Sequence, residues 1–221
     1  IVDKENININ IINLSNSEVV FSDSTNLWNF QQGPMLGWIP CKHIVYYNKM
    51  IEGFHKTVLY NMSNKKTSYF DFPIQTVHPK GKSYLSINYS KLNEVNRDYG
   101  YKHQCKEMSK YDNGIWKCYF ENLSPELLIC IDNMKKINRY HKNTSNHEFN
   151  HCLFSSSGKN FLFIYRYIVY GVKHSKLVLS NYASPNENMR VVNNLFVSHM
   201  CWVDDRNIFY FGDSINGNRG Y

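Results

Sequence analysis

His151-Cys152-Leu153-Phe154-Ser155 runs through Gly158-Lys159 into Phe161-Leu162-Phe163-Ile164, and three further stretches share that shape. Met35-Leu36-Gly37-Trp38-Ile39-Pro40 leads into His43-Ile44-Val45-Tyr46-Tyr47-Asn48. Gln75-Thr76-Val77-His78-Pro79 passes Gly81-Lys82 to reach Tyr84-Leu85-Ser86-Ile87-Asn88. His199-Met200-Cys201-Trp202-Val203 passes Asp204-Asp205-Arg206 to reach Ile208-Phe209-Tyr210-Phe211. Each reads as a short strand ending in a bulky ring (Trp38, His78, Phe154, Trp202), a polar turn and an apolar strand. Glycine turns easily because it accepts positive φ, and aspartate because it bonds its own backbone. The rings lie 40, 76 and 48 residues apart. Two of these spacings match the roughly 40–50-residue period of repeat architectures. The third contains a long insertion, Tyr89–Asn113.

Weaker strands follow each pair: Thr57–Met62 and Thr67–Phe70, then Ile115–Phe120 and Leu127–Ile131, then Ser175–Asn181 and Met189–Val192. Four strands per unit, the innermost carrying the strongest anchor, is how a β-propeller blade is built. A β-sandwich also has many short strands, but it does not repeat one turn motif at a longer fixed period. The expected fold is therefore all-β, a partial propeller with blades at 28–71, 72–145, 146–193 and an incomplete 194–221. Residues 1–27 read as part of a preceding blade, and one helix is expected at Ile131–Tyr140. Ile1-Val2-Asp3 reads as mid-strand and Gly220-Tyr221 follows a turn-rich stretch, so the chain reads as a fragment. It would hold about three and a half blades of a ring of about six to eight.

Composition narrows the partners. The 221 residues carry 25 Lys+Arg against 18 Asp+Glu, a net charge of +7. The lysines are scattered and form no run of about 5–8 basic residues, and no nucleic-acid-binding signature occurs, so nucleic acid is not an expected partner. No apolar run approaches the roughly 20 residues that cross a bilayer. The six cysteines show no CxxC pairing or zinc-module spacing. Cys118, Cys130, Cys152 and Cys201 sit in apolar strand-like runs, where free cysteine acts as a small hydrophobe. A reduced, cytoplasmic protein is the expectation.

At these residues the sequence resembles a known group. Ser155-Ser156-Ser157-Gly158-Lys159 stands where TolB-like and WD40-like propellers carry Ser-Pro-Asp-Gly-Lys. Trp28-Asn29-Phe30-Gln31-Gln32-Gly33-Pro34-Met35-Leu36-Gly37-Trp38 resembles the Trp-Asn-x-Gln-Gln-Gly stretch of bacterial propellers similar to oligogalacturonate lyase. Ser86-Ile87-Asn88-Tyr89-Ser90, Arg97-Asp98-Tyr99-Gly100-Tyr101, Asn150-His151 and Val197-Ser198-His199-Met200-Cys201-Trp202 extend the resemblance. It implies a divalent metal, usually manganese, held by histidines and a glutamine in the central channel, with β-elimination of a uronate.

Three residues before each anchor ring stand Met35, Gln75, His151 and His199. Equivalent positions lie at equivalent heights around one axis, so Gln75, His151 and His199 are the candidate metal ligands; Met35 cannot bind a hard metal. Imidazole suits manganese, iron or zinc, and such a metal would stabilise the enolate formed as the uronate loses its proton. Arg166, on the strand after His151, is the candidate partner for the uronate carboxylate. Tyr99, Tyr101 and His103 are candidate bases by position in the insertion, Tyr99 and His103 foremost. Gln31, Gln32, Asn88, Arg97 and Asn150 are candidate substrate contacts.

Other motifs read as structure. Gln31-Gln32-Gly33 is a bend leading into the first inner strand, and Asp204-Asp205 is a turn. His147-Glu148-Phe149-Asn150-His151 matches a zinc-protease motif, but that chemistry needs a helix to bring both histidines to one face. Phe211-Gly212-Asp213-Ser214 resembles an esterase nucleophile yet has no helix after it. The functional expectation is carbohydrate-directed: binding or cleaving an anionic oligosaccharide at the channel mouth. The alternative is a non-catalytic propeller that docks a protein or glycan.

Overall fold

The computed structural model describes residues 6–103, 113–121, 124–137 and 144–221. A first hairpin pairs β1 (Ile7–Ile12) with β2 (Val19–Thr25). Next come β3 (Gly37–Trp38), β4 (Ile44–Ile51), β5 (Phe54–Asn61) and β6 (Thr67–Phe70), which form one antiparallel sheet in chain order. The second sheet is β7 (Thr76–Val77), β8 (Ser83–Ile87), β9 (Gly114–Tyr119) and β10 (Glu126–Cys130). Helix α1 (Tyr89–Val95) lies between β8 and β9, and α2 (Ile131–Ile137) follows β10. The third sheet is β11 (Thr144–Phe154), β12 (Asn160–Val169), β13 (Val172–Asn181) and β14 (Arg190–Asn193). β15 (Val197–Trp202), β16 (Ile208–Asp213) and β17 (Arg219–Gly220) complete the chain as a three-stranded sheet. Successive up-and-down sheets of this kind are propeller blades, as the repeat predicts.

Local chemistry explains the elements. Glu52-Gly53 and Tyr170-Gly171 join the second and third strands of two blades, all four residues at positive φ. Two-residue hairpins of this hand match the twist of the strands they join. β12 is buried along nearly its whole length, which is why Phe161-Leu162-Phe163-Ile164 reads as an unbroken apolar run. α1 is a helix that the strand-based reading does not anticipate. Asn88 caps it by accepting the Lys91 N–H at 2.9 Å, and Tyr89, Ser90 and Leu92 are buried. The expected helix at Ile131–Tyr140 is present as Ile131–Ile137, and the remainder lies outside the described residues.

The core is distributed between blades. Ile87, Ile115 and Ile129 of the second sheet pack with Phe149, Phe161 and Tyr165 of the third. Phe72, Ile74 and Tyr84 meet Tyr46 and Phe70 of the first sheet, while Leu162, Ile164 and Leu177 meet Trp202 and Tyr210 of the fourth. The repeated turn adds a second contact at each junction. A Cβ on Gly158 (φ 72°) would collide with the His78 ring of the preceding blade, and one on Gly81 (φ 63°) would crowd Ile39. The Ser157 N–H donates to Asp205 of the next blade at 2.9 Å. Cys118 and Cys152 are buried as expected, but Cys201 is exposed and Cys130 only half-buried; Cys105 lies outside the described residues. Among the described residues no helix is long and apolar enough to cross a membrane.

Candidate functional site

The inner strands are irregular where the candidate ligands stand. The ladder between β11 and β12 slips between Asn150 and Leu153, and that between β15 and β16 slips between Val197 and Met200. Bulges of this kind re-aim a side chain out of the alternating pattern. His151 (φ 53°) and Met35 (φ 56°), equivalent in the repeat, are both left-handed, a conformation that non-glycine residues hold only when their surroundings enforce it. The result is convergence: the His151 and His199 rings lie 6.5 Å apart, edge to face.

His151 is the centre of the group. Its ring meets Tyr99 edge-on at 4.7 Å, and its backbone N–H donates to Asn150 Oδ1 at 2.8 Å. Burial, then the nearby Arg166 and His199, push its pKa down to about 3, so the imidazole is neutral at neutral pH. Among the described residues, the buried polar side-chain atoms with no hydrogen-bond partner include His151 Nδ1, Asn150 Nδ2 and Gln32 Oε1. Buried polar atoms are nearly always paired, and those that are not mark a place where a ligand or ordered water belongs.

The insertion supplies the cover. Asn96, ending α1, donates to Glu148 Oε1 at 3.1 Å, and the Tyr99 carbonyl accepts from Asn29 Nδ2 at 2.9 Å. Gln31 N–H donates to the Asp98 carbonyl at 3.3 Å. The segment from Asn96 to Tyr99 therefore ties the first blade to the third. Gln31-Gln32-Gly33 is the expected bend: Asn29 and Gly33 exchange backbone hydrogen bonds, and Gly33 has φ 62°. Gln31 and Arg97 are exposed beside it. Burial raises the Tyr99 hydroxyl pKa, partly opposed by Arg166 and by a hydrogen bond with Ser198, so the phenol stays protonated.

Several expected roles change. Arg166 is buried: Nη1 donates to Glu148 at 2.9 Å, Nε to Ser175 at 3.2 Å and Nη2 to the Val197 carbonyl at 3.0 Å. A guanidinium so engaged fixes the blade junction and is not offered to a substrate carboxylate. Asn88, 2% exposed, turns its oxygen to the α1 cap rather than to the site. Tyr101 is a core residue stacked on Tyr89 at 4.1 Å. His103 lies by the first blade, where its carbonyl accepts from His55 Nε2 at 2.6 Å. Gln75 Oε1 accepts the Tyr89 hydroxyl at 3.0 Å.

Glu148 is the residue beside the candidate site that sequence reasoning passed over, because it lay inside a motif rejected for want of a helix. The rejection itself holds: His147 to His151 lie on strand β11, and His147 Nδ1 bonds the Tyr165 hydroxyl at 2.6 Å. The missed signal was cross-strand, since Glu148 pairs directly with Arg166 in the ladder. Its second oxygen binds Lys173 at 3.0 Å. Two cations on one carboxylate leave the triad with one net positive charge.

A resident metal would find two imidazoles here. Among the described residues no group of three or more His, Cys, Asp or Glu side chains converges as a cation site. The Gln75 oxygen already has a donor, so a closed coordination sphere would need donors from elsewhere.

No family model and no curated protein matches the sequence. A structural match covers 94% of this chain: the crystal structure of TolB from Acinetobacter baumannii, with a TM-score of 0.50 and 11% identity. The fold is that of a TolB-like β-propeller. This chain spans 46% of the TolB chain it matches. At that identity the likeness carries the architecture alone, and the propeller's chemistry has to be argued from its own residues.

Proposed function

We propose that this propeller binds an anionic, uronate-containing oligosaccharide at the axial group around His151 and His199. The observation that carries the reading is the set of buried, unpartnered polar atoms on Gln32, Asn150 and His151. They offer an acceptor, a donor and a neutral ring nitrogen, a combination suited to sugar hydroxyls. Exposed Arg97 and the net charge of the Glu148–Arg166–Lys173 triad favour a carboxylate, and the Tyr99 ring gives a sugar face an apolar surface to rest on.

The resemblance to oligogalacturonate lyases suggests the finer reading that the bound uronate is cleaved by β-elimination. That reaction needs a base to take the proton next to the carboxylate. An imidazole with its pKa near 3 is a weak base at neutral pH, and the Tyr99 phenol holds its proton more tightly than usual. Arg166 is engaged elsewhere. Binding is therefore the function that the geometry supports best.

Titration calorimetry of the full chain with trigalacturonate, set against its methyl ester, tests the proposal. Saturable binding of the acid, at least about tenfold weaker for the ester and for Arg97→Ala or His199→Ala, is expected, since one charged hydrogen bond contributes roughly 1.5–3 kcal/mol. Equal affinity for acid and ester would refute it. Unsaturated uronate appearing in the same cell would move the reading from binding to elimination.

A further inference from the structure

On the rim, away from the axial group, a groove of about 480 Å³ runs between the third and fourth sheets. Val191, Val192, Leu195, Tyr210 and Ile215 give it apolar walls, and Ile215 is 98% exposed. Its floor is fixed: Asn193 Nδ2 donates to the Tyr210 hydroxyl at 2.9 Å and to the Asp213 carbonyl at 3.2 Å. One side is the outer edge of β14, the last strand of its sheet, whose outward backbone groups have no strand partner among the described residues.

Charge in the groove is unbalanced. Asp213 is neutralised by Arg219 at 2.7 Å. Lys176, which also lines the groove, is half-buried and forms no ion pair among the described residues. Its burial lowers the ammonium pKa, the direction expected of a cation short of a counter-charge. A ligand that covered Lys176 without bringing an anion would leave a buried unpaired charge, a strongly unfavourable state.

We propose that this groove docks an extended peptide segment of a partner protein, with an aspartate or glutamate placed on Lys176 and apolar residues on either side. The carboxylate answers the uncompensated cation, alternate apolar side chains answer Val192, Leu195 and Ile215, and the peptide backbone answers the free edge of β14. Adding a strand to an exposed edge is a recurring mode of peptide recognition. The ladder shift opposite Leu177 and Val178 restricts pairing to a few residues, so the segment is short and its affinity modest. This surface is independent of the axial group and stands whether or not a glycan binds there.

The test is methyl and amide NMR of the full chain, titrated with the acetylated, amidated peptide Leu-Val-Glu-Val-Leu, with its Gln analogue and with decanoate. Saturable shifts at Val191, Val192, Leu195 and Ile215 are expected, with a Kd on the order of 0.1–1 mM. Replacing Glu by Gln in the peptide, or Lys176→Met in the protein, is expected to weaken binding at least about fivefold. Ile215→Asp, at a site too exposed to affect folding, is expected to weaken it as well. Equal binding of the Gln analogue, indifference to both variants, or no saturable shifts would overturn the proposal. Binding of decanoate without the peptide would also overturn it, in favour of a fatty-acid site.

Discussion

His151 stays uncharged because burial and the neighbouring Arg166 both oppose its protonation. An unfolded chain takes up that proton near pH 6.5, the folded chain only near pH 3. The unfolded state therefore binds more protons in between, and stability rises with pH through that window. The contribution is complete above about pH 6.5 and is lost as pH falls toward about 3. His55, pushed down to about 4 by burial, acts in the same direction. Urea midpoints measured from pH 7 to pH 4 are expected to fall, and His151→Asn is expected to flatten the fall; an unchanged slope would show that burial does not hold the ring neutral. Gly158 makes a second residue-scale case. Gly158 and Gly171 have similar φ values of 72° and 79°, but only at Gly158 would a Cβ meet a neighbouring side chain. Gly171→Ala should cost about 1 kcal/mol for its backbone alone, and Gly158→Ala about 2–4 kcal/mol because it also forces His78 aside. Chemical denaturation of the two variants separates the terms.

Among the elements, the junctions between blades are secured by polar side chains on second strands that hold the next blade's backbone. Asn48 on β4 donates to the Ile74 carbonyl at 2.8 Å, accepts the Ile74 N–H at 2.7 Å and donates to the Tyr101 hydroxyl at 2.7 Å. Arg166 on β12 does comparable work at Val197. Asn48→Leu is expected to destabilise by about 2–4 kcal/mol, since buried backbone groups lose their partners. Glu148→Ala should cost about 3–5 kcal/mol by leaving Arg166 buried without its carboxylate. The strands were readable because ring, turn and apolar run recur in the same order in four units, although the spacing varies from 40 to 76 residues. The expected strand Thr67–Phe70 coincides with β6, and Ser175–Asn181 lies within β13. α1 was not readable, because seven residues are too few to show a helical period and the cap at Asn88 looked like a ligand contact. At the axial group the meeting of His151 and His199 followed from equivalent positions in the repeat. What Arg166 and Gln75 touch depended on partners far away in sequence, which no spacing rule reveals.

Across the whole molecule the largest apolar cluster lies between the second and third blades, whereas β1–β2 packs on the rest through Ile9, Phe21, Tyr47, Val58 and Ile51. Stability in a stack of repeats is a sum of unit and nearest-neighbour terms. Hydrogen exchange is therefore expected to be slowest in β8, β9 and β12 and fastest in β1, β2 and β17; uniform protection would mean that the sheets open as one unit. Val19, Leu14 and Ile12 on the first hairpin are more than half exposed, consistent with that gradient. The exposed thiols have a practical use. Cys41 sits in the turn of the first blade and Cys201 on the inner strand of the fourth, while Cys118 and Cys152 are buried. In a Cys105→Ser/Cys130→Ser background, thiol-reactive dyes would mark those two places on opposite ends of the blade series without engineered attachment points. Energy transfer between them would then read, in real time, whether the arc tightens or relaxes when something settles at its axis.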